Sequence, residues 1–385
     1  METIKDTVNT LIGRKPSGPK IRYAVVAGGN ISQGAFMPGV GQTSNSVMTV
    51  LVTDDPEKYD KLAKQYKLKS YKYADYNKML DGDECDALYI ATPNSMHREF
   101  TVPALEKGYH VLLEKPIEVT EEASQAILDA QRKSGAKLMI AYRLHCEPGT
   151  LNVIERVRKG DFGDPRTFVS MHTQMLKEEN HRAKFGFDSG PVPDMGIYCI
   201  NAVRNLYGQE PIEVSAVGFK TPGREDMMLH FDTVSVTLRF PQERVGQFTC
   251  GYSQASSSWY RLVGTKGEIE VDPSFSYGKG IAYKTTIDKK EDSKSFPTTD
   301  QFGGETEYFS DCILKNVDPE PNGEEGFLDV RVVCAIKRAL ETGETQKLEP
   351  KERLRRPVAA EQTKKLSMAS PPKEFIGRDS DNPGK

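Results

Sequence analysis

The sequence predicts an α/β protein with two domains: an N-terminal doubly wound parallel sheet of the Rossmann type, and a C-terminal α/β domain built on a large, mostly antiparallel, open-faced sheet. Three observations predict this fold. Up to about residue 145, short continuous apolar runs alternate with helical patterns, which is typical of parallel strands buried on both faces. Between residues 213 and 272 the runs alternate in period two, as half-covered antiparallel strands do. The length of 385 residues is too great for one ordinary core.

The N-terminal domain is predicted over residues 21–145, after a polar N-terminal arm over residues 1–20. Helices are expected between its strands, and the last of them is bounded by Thr120, an N-cap candidate, and by Gly135. The strands are expected at IRYAVVA (21–27), VMTVLVT (47–53), DALYIAT (86–92), HVLLE (110–114) and KLMIAY (137–142). Strand–helix–strand repetition at this spacing predicts the doubly wound sheet.

The C-terminal domain is predicted over residues 146–350. Helical stretches are expected near 150–161, from Asp194 onward, and at 304–316 and 324–343. Its period-two strands are expected at EVSAVGFK (213–220), SVTLRFP (235–241), VGQFTCGYS (245–253), YRLVGT (260–265) and GEIEVD (267–272). Residues 351–385 are rich in Lys, Arg, Pro and Ser and lack periodicity, so they are predicted to form an extended C-terminal tail.

Composition excludes several classes of function. With 52 basic and 55 acidic residues the net charge is −3, so no positive field attracts nucleic acid or anionic lipid. No apolar run approaches the ~20 residues that span a bilayer, and the first 20 residues lack the apolar core of a signal peptide. The six cysteines and six histidines form none of the spacings typical of zinc sites. We therefore expect a cytoplasmic protein with no nucleic-acid partner, no membrane segment and no metal.

The turn after the first strand is the candidate for a nucleotide site. Glycine is needed where the backbone approaches a pyrophosphate, and a small residue is needed where the following helix packs on the strand. Gly29 can serve the first purpose and Ser32 the second, although Ala27 stands where the first glycine of the fingerprint would be. A tight turn without a ligand fits equally well, but its place after the first strand of a βαβ unit favours a dinucleotide. The turn is formed by Gly28, Gly29, Asn30, Ile31 and Ser32.

The end of the second strand bears on the choice between NAD and NADP. An acidic residue there would bind the ribose hydroxyls of NAD, but the last strand residue is Thr53. Asp54 and Asp55 follow, and they could instead cap the next helix. Lys58 in the first helical turn could reach a 2′-phosphate, or it could be a solvated helix residue.

Several motifs carry a family resemblance. Two of them follow strands, where ligands bind in open α/β sheets. The motifs are ATPNSMH (91–97), EKP (114–116), PDMGIY (193–198), GTKG (264–267) and GEEG (323–326). With these motifs in this order, the chain resembles the glucose–fructose oxidoreductase/inositol dehydrogenase/rhizopine-catabolism (Gfo/Idh/MocA) family. The resemblance runs from about residue 20 to 345, and within the family it is to the glucose–fructose oxidoreductases and related aldose oxidoreductases.

The resemblance implies roles for individual residues. Lys115, Asp194 and Tyr198 match the family's catalytic positions, and together with Arg182 they match positions that bind substrate. Thr53 and Lys58 match positions that hold the 2′-phosphate, so the resemblance implies NADP, with NAD as the alternative. The other cofactor positions it implies are Thr92, Pro93, Asn94, His97, Glu114, Lys115 and Arg143, although the residues themselves favour a His97 that caps or packs the helix after Pro93.

These residues suit the oxidation of a sugar hydroxyl. Asp194 and Tyr198 are four apart, so both project from one face of a helix, and an ammonium such as that of Lys115 favours a neighbouring phenolate. We expect an NADP-dependent oxidoreductase that oxidises the C1 hydroxyl of an aldose or related cyclic polyol to a lactone, or reduces a carbonyl in reverse. The alternatives are an NAD-dependent inositol-type dehydrogenase, a redox glycosidase, or a non-catalytic cofactor-sensing regulator.

The strands of residues 213–272 also predict self-association. Apolar residues occur on both faces, for example Val214 and Ala216 on one and Val217 and Phe219 on the other. A large exposed apolar sheet face is a liability unless a partner covers it. We therefore expect a homodimer or homotetramer formed through the C-terminal sheet.

Overall fold

A computed structural model describes residues 18–177, 180–184, 186–353 and 355–378. Most of the predicted N-terminal arm therefore lies outside the described residues. The expected fold class is confirmed: a six-stranded parallel sheet is followed by a nine-stranded, mostly antiparallel sheet.

The N-terminal sheet has the strand order β3-β2-β1-β4-β5-β6, with every neighbouring pair parallel. Its strands are β1 (Ile21–Val26), β2 (Ser46–Val52), β3 (Lys69–Tyr71), β4 (Ala87–Ile90), β5 (His110–Glu114) and β6 (Leu138–Ala141). β4 and β6 are buried along their whole length, as their continuous apolar runs predict. The short edge strand β3 was not predicted, because its three residues include a lysine and a serine and stay partly exposed.

Helices cover both faces of this sheet. The ends of the last one confirm the sequence interpretation: the Thr120 hydroxyl accepts a hydrogen bond from the Ala123 N–H at 3.1 Å, and Gly135 ends the helix at φ +68°. The helices are α1 (Ser32–Phe36, a π-helical turn, continuing as Met37–Val40), α2 (Lys58–Leu62, also π-helical, continuing as Ala63–Tyr66), α3 (Tyr76–Leu80), α4 (His97–Glu106) and α5 (Glu121–Ser134).

The second sheet has the strand order β14-β13-β12-β11-β7-β10-β9-β8-β15, and only β7 and β10 pair in parallel. Its strands are β7 (Pro165–Met175), β8 (Glu213–Phe219), β9 (Thr233–Phe240), β10 (Arg244–Gly251), β11 (Ser253–Gly264), β12 (Gly267–Val271), β13 (Ala282–Ile287), β14 (Lys290–Ser295) and β15 (Gln346–Lys347). The central strand β7 was not predicted.

One face of this sheet is covered by helices α6 (Pro148–Arg158) and α7 (Val192–Gly196, a π-helical turn, continuing as Ile197–Tyr207). The other face is open. Val217 and Phe219 there are 59% and 52% exposed, and a groove of about 480 Å³ runs along the face past Trp259. Helices α8 (Gln301–Lys315) and α9 (Gly323–Thr342) pack back against the N-terminal domain.

The C-terminal tail follows an extended path apart from a short helix, α10 (Ala359–Gln362). It is bound to the rest of the molecule along its course. Arg353 is buried and pairs with Glu320 at 2.5 Å and Glu325 at 3.2 Å, and the carbonyl of Leu366 accepts a hydrogen bond from the N–H of Asp300 at 2.9 Å. Through these residues the tail adds contacts to the C-terminal domain.

Candidate active site

A cleft of about 600 Å³ lies between the two domains, where β1, β4 and β5 end and where α7 begins. Both sides of it carry residues that the motifs predicted. Those that line it are Gly29, Asn30, Ile31, Thr92, Pro93, Asn94, Glu114, Lys115, Arg143, Arg182, Asp194 and Tyr198. The carboxyl edge of a parallel sheet is where open α/β folds bind ligands.

Lys115 and Asp194 join the two sides of the cleft. The Lys115 ammonium, which follows β5, donates to the backbone carbonyl of Asp194 at 3.0 Å and lies 3.3 Å from its carboxylate Oδ1. Oδ1 also lies 3.4 Å from the Arg182 guanidinium, and Oδ2 accepts a hydrogen bond from the Tyr252 hydroxyl at 3.0 Å. Burial alone would raise the pKa of Asp194, but the charges of Arg182 and Lys115 hold it well below its usual range. Asp194 is therefore an anion at any physiological pH.

Tyr198 lies one turn along α7 from Asp194, with two cations close to its ring. The Lys115 ammonium and the Arg143 guanidinium are each 5.0 Å from the ring centroid, within the range of cation–π attraction. Arg143 is itself held by a hydrogen bond to the Phe275 carbonyl at 2.6 Å and by Gln301. Two positive charges therefore lie beside the Tyr198 ring at the wall of the cleft.

Glu114, next to Lys115, accepts a hydrogen bond from the Tyr89 hydroxyl at 2.7 Å. Burial raises the pKa of Glu114, and the neighbouring Lys115 and Arg143 oppose that rise. Glu114 therefore anchors the end of β5 from which Lys115 extends.

The turn after β1 fits a dinucleotide. Ala27 and Gly28 both have left-handed backbone, at φ +82° and +64°, so the chain bends sharply before α1 and Gly29, Asn30 and Ile31 line the cleft. The alanine in place of the first fingerprint glycine adopts the conformation that a glycine would. The buried hydroxyls of Ser32 and Thr92 have no partner among the described residues, which leaves polar atoms for a ligand at this edge.

Five of the predicted cofactor residues do not line the cleft. Gly28 and Ser32 are buried within the glycine turn, and Thr53 and Lys58 are fully buried after β2. The fifth residue is His97, which is also fully buried. Lys58 is therefore not a solvated helix residue. Asp55 caps α2, as one interpretation expected: its carboxylate accepts hydrogen bonds from the N–H groups of Glu57 at 2.9 Å and Lys58 at 3.1 Å.

The assignment of His97 to the cofactor is corrected by its surroundings. It is fully buried, and its ring nitrogens lie 2.9 Å from the carbonyl of Pro116 and 3.1 Å from that of Thr92. Burial lowers its pKa to about 4, and the neutral ring, which carries a single N–H, donates to only one of these two carbonyls. His97 therefore connects the segment after β4 with the segment after β5, and so helps to position the motifs ATPNSMH (91–97) and EKP (114–116).

The sequence interpretation missed His172 on β7, which lines the cleft beside Tyr198. Its Nδ1 lies 3.2 Å from the carbonyl of Met195, and burial lowers its pKa to about 4. Since a carbonyl only accepts, the ring is neutral with the proton on Nδ1, and Nε2 is an acceptor. The period-two alternation of Phe168, Ser170 and His172 is the sequence feature that could have predicted a strand here with His172 on its covered face.

Within the described ranges there is no group of three or more His, Cys, Asp and Glu side chains that could hold a metal ion. Among the same residues no helix is long and apolar enough to cross a membrane.

Comparison with known proteins covers most of the chain. A model described as an oxidoreductase family with an NAD-binding Rossmann fold matches residues 21–142, and one described as the C-terminal alpha/beta domain of an oxidoreductase family matches residues 154–348. A D-xylose 1-dehydrogenase (NADP(+)) from Haloarcula marismortui is 27% identical over 337 residues, which cover 86% of this chain and 93% of that protein.

Solved structures are similar as well. An aldose-aldose oxidoreductase from Caulobacter crescentus, complexed with glycerol, has a TM-score of 0.79 and 32% identity, covering 86% of this chain and 100% of that chain. A 3-ketoreductase from Actinomadura kijaniata, in complex with NADP and TDP-benzene, has a TM-score of 0.75 at 21% identity, covering 83% of this chain and 98% of that chain, and this likeness concerns the fold.

Proposed function

Because the chain belongs to the Gfo/Idh/MocA oxidoreductase family, with its NAD-binding Rossmann domain and its C-terminal α/β domain, we propose that it is an NADP-dependent oxidoreductase acting on C1 of aldose sugars. It oxidises the C1 hydroxyl to a lactone or reduces the sugar carbonyl in reverse. The observation that carries this proposal is the contact between the Lys115 ammonium and Asp194, 3.0 Å across the cleft, with the Tyr198 ring 5.0 Å away.

The proposed chemistry assigns one task to each of these three side chains. The nicotinamide, when bound, supplies the acceptor for the hydride from C1. Tyr198 takes the proton from the sugar oxygen, and the Lys115 ammonium stabilises the negative charge that develops there. Asp194 holds Lys115 in place and accepts a hydrogen bond from a sugar hydroxyl, with Arg182 beside it.

Two arguments support NADP rather than NAD. Thr53 directly follows β2 and Lys58 begins α2, so this strand end carries a neutral hydroxyl and a cation, while the carboxylates of Asp54 and Asp55 accept hydrogen bonds from backbone N–H groups. The Haloarcula relative, which spans most of this chain, is named for NADP(+). Fluorescence titration with NADPH and NADH tests the preference, and tighter binding of NADH would refute it.

The aldose substrate is supported by the names of relatives that span most of this chain, a D-xylose 1-dehydrogenase and an aldose-aldose oxidoreductase. The intact Lys115–Asp194–Tyr198 set argues against a regulator without catalysis. The test is a panel of aldoses, ketoses and inositols with both nicotinamides. Turnover confined to inositols with NAD would replace this proposal with the inositol-type dehydrogenase.

The open face of the second sheet supports a homodimer or homotetramer in which two such faces meet. Exposed Val217 and Phe219 flank a groove of about 480 Å³, and covering them would remove apolar surface from water. Light scattering that finds a monomer at micromolar concentration would refute this assembly. A cytoplasmic location is proposed because all six cysteines are free thiols, five of them buried.

A further inference from the structure

A small cavity of about 30 Å³ lies beside the cleft, between α6, α7 and the segment that follows β12. Tyr198 lines both spaces, and of the described residues it is the only one that does. Much of the cavity wall is apolar and includes Leu144, Ile154 and Leu206. A cavity can hold one water molecule when it offers about 10–15 Å³, so this one has room for one or two.

Three polar side chains also line this cavity, and each of them has a buried atom without a hydrogen-bond partner among the described residues. The atoms are Nδ1 of His145, Oδ1 of Asn205 and the hydroxyl oxygen of Ser274. The three residues are 2% exposed or less. Buried polar atoms are almost always hydrogen-bonded, either within the protein or to ordered water. Three such atoms around one cavity therefore indicate a polar ligand.

The hydrogen bonds around Asn201 determine which nitrogen of His145 carries the proton. The side-chain amide of Asn201 donates to the carboxylates of Glu325 at 2.9 Å and Asp329 at 2.8 Å. Its Oδ1, an acceptor, lies 2.6 Å from Nε2 of His145, so Nε2 is the donor. Burial lowers the pKa of His145 to about 4, so the ring is neutral and its Nδ1 is an acceptor.

The amide of Asn205 is oriented by its acceptors in the same way. Its Nδ2 donates to the Glu325 carboxylate at 2.9 Å and to the backbone carbonyl of Asn201 at 3.0 Å, which leaves Oδ1 as a second acceptor. Two acceptors, His145 Nδ1 and Asn205 Oδ1, cannot bond to each other, whereas the Ser274 hydroxyl can both donate and accept. A water molecule has two O–H groups and two lone pairs, so it suits this set of atoms.

We propose that this cavity binds one or two ordered water molecules, which donate hydrogen bonds to His145 Nδ1 and Asn205 Oδ1 and accept one from the Ser274 hydroxyl. Buried water typically has two to four polar partners, and this site offers three. The water joins the segment after β6, helix α7 and the segment after β12, which carry these three side chains. The site requires neither the cofactor nor the sugar of the proposed function.

The water also supports the active site, because Ser274 directly precedes Phe275. The carbonyl of Phe275 accepts a hydrogen bond from Arg143 at 2.6 Å. The ring centroid of Phe275 lies 6.0 Å from that of Tyr198 and 5.1 Å from that of His172. Water held by Ser274 therefore restrains Phe275, and through it the guanidinium beside Tyr198. Ser274 is thus a positioning residue for this wall of the cleft.

A crystal structure of the full chain, at a resolution that shows ordered water, tests the site directly. We expect a water oxygen about 2.7–3.2 Å from His145 Nδ1 and one at the same distance from Asn205 Oδ1, with the Ser274 hydroxyl bonded to the same water or to its neighbour. A cavity without ordered density, or one filled by a side chain, would overturn the proposal. A chain that holds this water but does not bind NADPH would refute the proposed function alone.

Ser274→Ala tests the positioning role, a readout that rests on the proposed function, as the crystal structure does not. The variant loses one hydrogen bond to water, so kcat with D-xylose and NADP should fall about two- to tenfold, while the KM for D-xylose and the Kd for NADPH stay unchanged. The matched control is Ser253→Ala, because the Ser253 hydroxyl is also buried without a partner among the described residues but lines neither the cleft nor the cavity. Its kcat should equal that of the unaltered chain. An unchanged kcat in Ser274→Ala, or an equal loss in the control, would overturn the positioning role.

Discussion

Replacing Lys115 by methionine keeps a side chain of similar length and removes the ammonium that faces Asp194. The lysine side chain is only 11% exposed, so water screens its charge poorly. After the substitution Asp194 still has the Arg182 guanidinium at 3.4 Å and the Tyr252 hydroxyl at 3.0 Å. The start of α7 therefore stays anchored, and the shape of the cleft is preserved.

The expected effect of Lys115→Met falls on turnover. General acid–base and charge-stabilising groups contribute about 10²- to 10⁴-fold, so kcat should fall by that factor, which corresponds to roughly 3–5 kcal/mol of transition-state stabilisation. The ammonium contacts the carbonyl and carboxylate of Asp194, on the side of the cleft opposite the glycine turn. The Kd for NADPH should therefore change by no more than about twofold.

The assay is steady-state kinetics with D-xylose and NADP, with the Kd for NADPH measured separately by fluorescence. Lys337→Met is the matched control, because that lysine also pairs with an aspartate, Asp188 at 3.5 Å, but does not line the cleft. Its kcat should stay near that of the unaltered chain. A kcat for Lys115→Met within about tenfold of wild type would refute the assignment of the active site.

Three more outcomes are expected. Tyr198→Phe should lower kcat about 10²- to 10⁴-fold. The double variant with Lys115→Met should have a kcat little below that of the worse single variant, because the two side chains act on the same proton transfer. Losses in kcat that add in steady-state kinetics would contradict this shared role. His172→Phe should raise the KM for D-xylose about tenfold and leave the Kd for NADPH unchanged, because Nε2 is placed to accept a hydrogen bond from a sugar hydroxyl. His172→Asn should recover part of the lost affinity for D-xylose. An unchanged KM in His172→Phe would count against this contact. The free energy of unfolding should fall as the pH drops from 6.5 toward 4. Burial lowers the pKa of His97, His145 and His172 to about 4, so in this range the unfolded chain binds protons that the folded chain does not. Urea unfolding at pH 7, 6 and 5 should show a loss of roughly 1 kcal/mol per pH unit for each histidine, and a free energy of unfolding that does not change with pH would exclude this effect.

The sequence was most informative where local pattern and position coincide. Continuous apolar runs identified β4 and β5, and the motifs that follow them, ending at Asn94 and Lys115, meet in one cleft because parallel strands share their carboxyl edge. The four-residue spacing of Asp194 and Tyr198 likewise placed both on one side of α7, although its first turn is π-helical.

What the sequence could not show depends on contacts between distant residues. β7 is the middle strand of its sheet, yet Thr, Ser, His and Gln interrupt its apolar pattern, so its hydrophobic signal is weak and His172 was missed. Arg353 is buried because Glu320 and Glu325 neutralise it, and neither partner could be inferred from a basic, proline-rich tail. The burial of Lys58 beneath Gly377 depends in the same way on residues more than 300 positions apart.

Hydride transfer between sugar C1 and the nicotinamide is the central claim, and D-xylose carrying deuterium at C1 tests it most directly. After incubation of the purified chain with this sugar and NADP, mass spectrometry of the isolated NADPH should find one deuterium per molecule formed. The Lys115→Met variant, with NADPH binding intact, should form almost none in the same time. NADPH that forms without deuterium, or no NADPH from any aldose although the cofactor binds, would contradict the account.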